Sequence, residues 1–456
     1  MKKIFRAIAF CGIMATSLSA LAQNTNSGYF VENYTYRFQL NPAYSNERNF
    51  VSMPALGNLN VDLQGSLNLS DVLYKGTNGK TWLFSNPNIP TSEVMSRIGD
   101  KNTLSANLRE TIIATGFKAL GGYNTVSIGA RADIGLMVPG SLFALVKEGI
   151  SNRNYDIHNI GLSALGYAEV ALNHSHDLSK VLPGLRVGAS MKFLIGAASV
   201  DAHFNRADLT LGTEQWTVTS DADVYVNLAK FQFDHKYSDK LNRDYVSGFD
   251  MDGNGSFGPN GFGLAFDLGA TYDWQDFSFS LAALDLGFIS FSDTKYATTG
   301  GLQTFNTDDY IFNPSDMDGS WNEFADGFDK LYQLEDKGNI GSHTRTLGAT
   351  LNVGVRYALP VYRKLSFGFL SSTRIAGRYS WSEARISANV APAKCFSAGI
   401  NFAAGTYGVA FGWLLNYSYT GFNLFVGMDN TYCKFAKQGV PLRSNMALNV
   451  GINFPF

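Results

Sequence analysis

Nine ionisable side chains lie in mid-segment, in phase with small or polar neighbours: Arg131, Asp133, Glu169, Arg186, Lys192, Asp267, Asp273, Arg356 and Arg385. Five are cations and four are anions, so together they offer no single-sign field with which to select an ion. They read as paired charges filling a narrow interior, and a relay for a polar substrate is the alternative. Asp285 is out of phase with them. It shares the parity of Phe277, Phe279 and Leu281, and a bulge over 282–284 would turn it inward and kink its segment, one way to open a side passage. The stretch "DMDGNGSF" places Asp250, Asp252 and Asn254 like the first half of a calcium loop. Position twelve, where a bidentate Glu belongs, is Gly261, and the same residues are ordinary turn formers. His174 and His176 could face a metal together but have no third ligand nearby. None of the six histidines (158, 174, 176, 203, 235 and 343) falls at an inward mid-segment position beside a nucleophile. The expectation is therefore no enzyme and no cofactor.

The segments that hold these residues alternate with period two. In "NMALNVGINFPF", Met446, Leu448, Val450, Ile452, Phe454 and Phe456 share one face, while Asn445, Asn449 and Asn453 share the other. "NLNVDLQGSLNLS", "GFGLAFDLGATYDW" and "TLGATLNVGVRYA" repeat the pattern, and no charge occupies the apolar face of any of the four. A soluble sheet tolerates Lys or Glu at the rim of its buried face, whereas a midplane Arg or Lys in hydrocarbon costs about 2 to 4 kcal/mol. The pattern favours lipid. Further segments of spanning length cover 108–120, 123–138, 157–172, 185–200, 277–291, 365–374, 382–391, 396–404, 407–417 and 422–430. With the four above they predict an all-β, transmembrane, antiparallel up-and-down barrel of about 14 strands. A more polar hairpin over 207–233, turning at "SDAD", stands above the membrane in this reading; embedded, it would make the count 16.

Connection lengths sort the same way. The long connections 70–107, 139–156, 203–260, 292–345 and 431–444 fall at one end of the strands, and mostly short turns fall at the other, as in barrels with outer loops and periplasmic turns. Cys395 then lies in a periplasmic turn and Cys433 in an outer loop. A membrane of about 30 Å separates them, so no disulfide is expected. Two loop stretches, 141–149 and 320–337, have the spacing of short amphipathic helices, which serve loop packing or, alternatively, a protein partner.

The N-terminus "MKKIFRAIAFCGIMATSLSALAQ" reads as a signal peptide, 1–22, cleaved after Ala22. Residues 23–58 then precede the first strand, and the barrel runs over 59–456. Charged residues make up 16% of the chain, against about 25% in soluble domains, and 34 Phe and 22 Tyr suit aromatic-rich β structure. A mean hydropathy of -0.06 hides a barrel, because the two faces of each strand average out. A net charge of -2 argues against nucleic acid.

Asn41-Pro42-Ala43, "NGFGLAFDLGATY", "LDLGFISF" and "SANVAPAKCFSAGINF" occur in an order that resembles FadL-like long-chain fatty-acid transporters of the outer membrane. Within that class the chain resembles a Bacteroidetes-type group defined only as a domain of unknown function, related to PorV-like barrels. The resemblance implies a Gram-negative outer-membrane barrel of fourteen strands with an N-terminal plug, and passage of small hydrophobic molecules by way of the lumen and a lateral opening. The alternative it carries is a non-transporting scaffold for protein secretion or surface assembly. No ligand-pocket motif of the transporters maps onto this chain. The expected partners are membrane lipid, a small hydrophobic molecule, a protein at the outer loops, and the outer-membrane assembly machinery. Phe456, as terminal aromatic residue, resembles the signal that this machinery reads.

Overall fold

A computed structural model describes residues 26–76, 81–148, 153–156, 159–211, 216–238, 243–251, 258–299, 303–306, 334–431 and 445–456. The signal peptide, Cys433, Asp252, Asn254 and most of the 320–337 stretch lie outside them.

Fourteen antiparallel strands form a closed wall. They are β1 (Phe50–Ser52 with Asn58–Gly65), β2 (Lys101–Ala119), β3 (Gly122–Pro139), β4 (Gly161–Asp177), β5 (Leu185–Leu211), β6 (Gly261–Trp274), β7 (Phe277–Phe291), β8 (His343–Thr346 with Ala349–Ala358), β9 (Leu365–Ile375), β10 (Trp381–Ala393), β11 (Phe396–Gly405), β12 (Gly408–Tyr419), β13 (Phe422–Asn430) and β14 (Met446–Pro455). β14 closes on β1, with Val450 opposite Leu59 and Phe454 opposite Val51. Closure leaves no strand edge to satisfy in hydrocarbon.

Alternation sends the two faces of each strand to different solvents. Every strand shows a large apolar side chain outward, among them Phe262 (66% exposed), Ile386 (63%) and Ile400 (55%). Inward positions are small or polar, and Asn60, Asn352, Asn401, Asn416, Asn423, Asn449 and Asn453 are all buried. An apolar belt around the whole outside with a polar interior is the inverse of a soluble barrel, and it fits a membrane. Among the described residues no helix is long and apolar enough to cross one.

The chain departs from the sequence expectations at its ends and loops. Phe50–Ser52 already pairs with β2 and β14, so the segment preceding the wall ends at Asn49 and not at 58; the residues between the two halves of β1 only interrupt the strand. β2 starts at Lys101 because polar residues above the lipid can still extend a strand. The stretch "SDAD" is no turn. It lies within one strand, Trp216–Asn227, which pairs with the outer half of β5 and absorbs the extra residue as a bulge at Asp221/Ala222. That strand also takes Lys295–Thr298 and Gln303–Asn306, so a small sheet rises above the wall and the wall count stays at fourteen. A helix does form over Gly140–Glu148. Residues 335–337, the described end of the second expected helix, belong instead to a strand, Glu335–Asn339, paired to Lys295–Thr298.

Candidate functional site: the closed lumen

Residues 26–49 lie inside the barrel. Their aromatic side chains supply the inner core: Tyr29, Tyr34 and Tyr36 are almost fully buried and pack with Phe30, Phe38, Phe50, Leu370, Leu414 and Phe425. The rings meet edge-on, as Tyr34 on Phe425 does at 5.0 Å between centroids. A segment this rich in backbone donors and acceptors needs partners wherever it is buried. The wall provides them from every strand except β9, on which Phe30 packs instead.

Asn58 on β1 and Thr111 on β2 bond Gln39 at 2.9 and 3.0 Å. Tyr123 on β3 donates to the Arg48 carbonyl, and Ser175 on β4 donates to that of Ala43, each at 2.8 Å. Arg186 on β5 reaches Ser45. Asn41 donates to the Ala270 carbonyl of β6 and the Leu281 carbonyl of β7, and its Oδ1 accepts the Ala43 N–H at 2.9 Å. Asn352 on β8 donates to the Leu40 carbonyl at 3.0 Å, while Arg356 pairs with Glu32. Ser397 on β11 and Asn416 on β12 hold the Glu32 and Asn33 carbonyls. Thr35 bonds Asn423 and Asn453, on β13 and β14.

The motif Asn41-Pro42-Ala43 is the closest approach of this segment to the wall. A Cβ on Gly188 would stand 2.1 Å from the Pro42 carbonyl oxygen, and one on Gly269 would stand 2.1 Å from Asn41 Oδ1. Gly188 lets backbone meet backbone, and Gly269, within "GFGLAFDLGATY", makes room for the Asn41 and Pro42 side chains.

Nearer the outside the lumen is crossed by charge. Six consecutive strands contribute one residue each: Arg109 (β2), Arg131 (β3), Glu169 (β4), Lys192 (β5), Asp267 (β6) and Asp285 (β7). They form a continuous chain of ion pairs. Arg109 meets Glu169 at 3.3 Å, Glu169 meets Arg131 at 2.9 Å, and Arg131 meets Asp285 at 2.8 Å. Lys192 holds Asp285 and Asp267 at 2.6 Å each. Three cations balance three anions, and all six side chains are buried or nearly so.

Asp285 enters this chain through a bulge between β6 and β7 at Phe266/Leu268. Its φ is +58°, in the left-handed region, and its N–H donates to Asp267 Oδ1 at 2.7 Å. The kink does not open the wall. Leu284 pairs with Thr350, Phe288 with Thr346, and the Leu347 N–H bridges the interval by donating to the Gly287 carbonyl at 3.0 Å.

The other expected lumen residues lie elsewhere. Asp133 pairs across the lumen with Arg374 of β9 at 3.3 Å. Arg385 pairs with Glu383 at 3.0 Å and approaches Asp429 to 3.8 Å. Asp429 in turn accepts the N–H groups of Asn26 and Ser27, both at 2.7 Å. Arg186 and Asp273 sit at the rim that carries the short turns, the first 3.5 Å from Asp177 and the second bonded to Ser278. Sequence reasoning missed Arg109, because β2 changes phase at a bulge between Thr111 and Ile113. It also missed Glu32, Arg374, Glu383 and Asp429, which stand on the inserted segment or near strand ends. Among the described residues no group of His, Cys, Asp and Glu could hold a metal; Asp250 ends an outer strand, Arg243–Asp250.

Small spaces lie among these residues. One, of about 40 Å³, lies at the level of the ion pairs, lined by Arg109, Arg131, Asp133, Asp285, Asn352, Arg374 and Trp381. Just outward of the network, Leu165, Tyr167, Leu194, Ala265, Ile289 and Phe291 form a buried apolar layer on β4 to β7. Another, of about 50 Å³, adjoins Asp62, Glu383, Arg385 and Asp429 on the side of β10 to β14.

A closed fourteen-strand barrel with a filled polar lumen defines the class of protein. Within it, residues 42–429 match the model of a family of unknown function, DUF5723, and the chain belongs to that family. Comparison with functionally characterised proteins by sequence gave no match. Among solved structures the chain is similar to the TodX deltaS2S3 mutant monoaromatic hydrocarbon channel, with a TM-score of 0.44, 9% identity, and 96% of this chain and 97% of that one covered. It is similar to the Pseudomonas putida toluene transporter TodX at TM-score 0.39 and 10% identity, covering 96% of each chain. It is similar also to the translocator domain of the autotransporter NalP from Neisseria meningitidis at TM-score 0.33 and 7% identity, with 96% and 100% covered. Likenesses this distant bring no function with them.

Proposed function

We propose that this protein is an outer-membrane barrel for the passage of small hydrophobic molecules, shut in the state described. The observation that carries the reading is the division of the lumen into a half filled by residues 26–49 and an outer half that keeps a small cavity of about 40 Å³ at the ion pairs, below an apolar layer. A cavity of that size takes only a few waters, so a ligand would enter as the lumen loosens; one with an apolar body and a polar end would meet Leu165, Leu194 and Phe291 with the body and Arg374 or Asn352 with the end. Passage would require residues 26–49 to shift. Their link to Asp429 is the one to loosen, since this carboxylate holds the first two described backbone amides. The apolar belt around the closed wall supports a membrane location, which we take to be the outer membrane.

A second reading, a scaffold for secretion or surface assembly that transports nothing, is favoured by the continuous wall at Asp285 and by the folded sheet above the rim. Reconstitution of the full chain into liposomes separates the two. Under the first reading Asp429→Ala raises the uptake of a fatty acid or an aromatic hydrocarbon several-fold over wild type. No permeation of any solute class by either protein would sink it.

A further inference from the structure

The connection between β9 and β10, residues 376–380, folds inward over the mouth of the lumen. Ser380 ties it into a compact turn, its Oγ accepting the Ala376 N–H at 2.9 Å and donating to the Gly377 carbonyl at 2.8 Å. Gly377 takes a φ of +58°, open to glycine at no cost, and so sets the direction of the turn. Its far side meets β3, β4 and β5, nearly opposite β9 in a wall of fourteen strands. The Tyr379 ring occupies the place of a side chain on β3: a Cβ on Gly135 would stand 2.6 Å from ring carbon Cε1. Glycine inside a strand weakens it and marks close approach by another part of the chain, and here that part is Tyr379. The Tyr379 hydroxyl lies 3.4 Å from the Cβ position of Gly161, the first residue of β4. Both terminal nitrogens of Arg378 donate to the Phe204 carbonyl of β5, each at 3.4 Å.

The turn joins Arg374 and Trp381, which face each other in register, and both line the small space at the ion pairs. Beneath it the Arg374–Asp133 pair crosses the lumen from β9 to β3. Residues 376–380 are thus a roof on that space. The roof is the weakest of the barriers around the lumen. The wall at Asp285 is held by strand pairing, and residues 26–49 by buried bonds from nearly every strand. Among the described residues no backbone–backbone hydrogen bond joins the turn to β3, β4 or β5. Lifting it breaks one ring contact and two long, exposed hydrogen bonds, and segments so held open at low free energy.

We propose that residues 376–380 are the outer gate of the lumen. Tyr379, seated on Gly135 and Gly161, is the latch; when it leaves its seat the turn lifts from β3–β5 and a small hydrophobic molecule enters from the outer end toward the ion pairs. The inference rests on the passage reading and adds the route: entry is through the mouth beside β9 and β10, and not sideways through the continuous wall at Asp285.

The test measures access to the roofed space in full chain carried by lipid nanodiscs, with all cysteines replaced by Ser and Thr350→Cys, on the lining of that space, as reporter. Folding is followed by heat-dependent gel mobility, and the readout is the rate at which a small charged methanethiosulfonate labels the reporter. With the turn unaltered, labelling should be slow. Arg378→Ala with Tyr379→Ala, and separately Gly135→Val, which builds a side chain into the seat of the ring, should each speed it several-fold. A second reporter, Ser280→Cys, sits where Tyr29 packs in the half filled by residues 26–49 and should stay slow in the same variants. Thr350→Cys that labels no faster once the contacts of the turn are removed, or Ser280→Cys that speeds up equally, would overturn the gate. Should Gly135→Val fail to fold, the double variant of the turn decides alone. Uptake into liposomes is read separately: faster labelling without uptake of any solute leaves access controlled by the turn and counts against passage itself.

Discussion

At the scale of single residues, the lumen shows how charge is tolerated where water is scarce. Lys192 is the hinge at one end of the ion-pair chain because it holds two carboxylates, Asp267 and Asp285, as Arg131 holds Glu169 and Asp285. Removing one partner of a buried pair leaves the other uncompensated, which costs about 3 to 5 kcal/mol. Lys192→Met should therefore lower the unfolding midpoint in urea markedly, read from gel mobility in lipid. The triple variant with Asp267→Asn and Asp285→Asn should recover part of the loss, since it removes the stranded charges as well. A triple variant no more stable than the single one would show that Lys192 acts through packing and not through charge. Strand parity alone marked Arg131, Glu169, Lys192 and Asp267 as inward, whereas Arg186 and Asp273, read the same way, lie at the rim. Asp285 needed a bulge to be invoked, and Arg109 escaped because a bulge in β2 reset the parity where nothing in the letters marks it.

At the scale of elements, the inserted segment and the wall are fitted to one another by what is left out of the wall. Gly188 and Gly269 give up their side chains so that Asn41 and Pro42 can reach backbone on β5 and β6. Gly269→Ala puts a methyl against the Asn41 side chain, and Gly188→Ala puts one against main chain, which moves less easily. Both should expose the segment to added protease, the second more than the first, while the barrel band on gels stays intact. Equal protection in both variants would mean that the segment settles elsewhere in the lumen. Sequence alone marks 23–58 only as chain left over before the first strand. Its contacts are with strands hundreds of residues away, such as Thr35 with Asn453, and no local pattern encodes them.

At the scale of the whole molecule, closure is what makes every other feature affordable. The seam between β1 and β14 runs from Leu59 opposite Val450 to Val51 opposite Phe454, and Phe456 ends the chain 68% exposed with its N–H on the Asn49 carbonyl. We propose that this exposed ring serves recognition during assembly more than the stability of the fold. Deleting Phe456 should lower the amount of barrel recovered from outer membranes several-fold in cells, yet leave refolding of purified chain into detergent almost unchanged. An equal loss in both would assign Phe456 to stability.

The sequence by itself determined the period-two alternation, the absence of charge from one face of almost every strand, and the sorting of long and short connections. From these follow the fold class, the strand count and the two solvents that the strands separate, because a period of two and a hydrocarbon environment are local constraints read one residue at a time. Only the tertiary structure decided which charges meet, that the wall stays continuous at Asp285, and that the lumen is filled by residues 26–49. Those depend on register and on bulges, where a shift of one residue reverses every side chain beyond it, and on contacts between segments far apart in the chain.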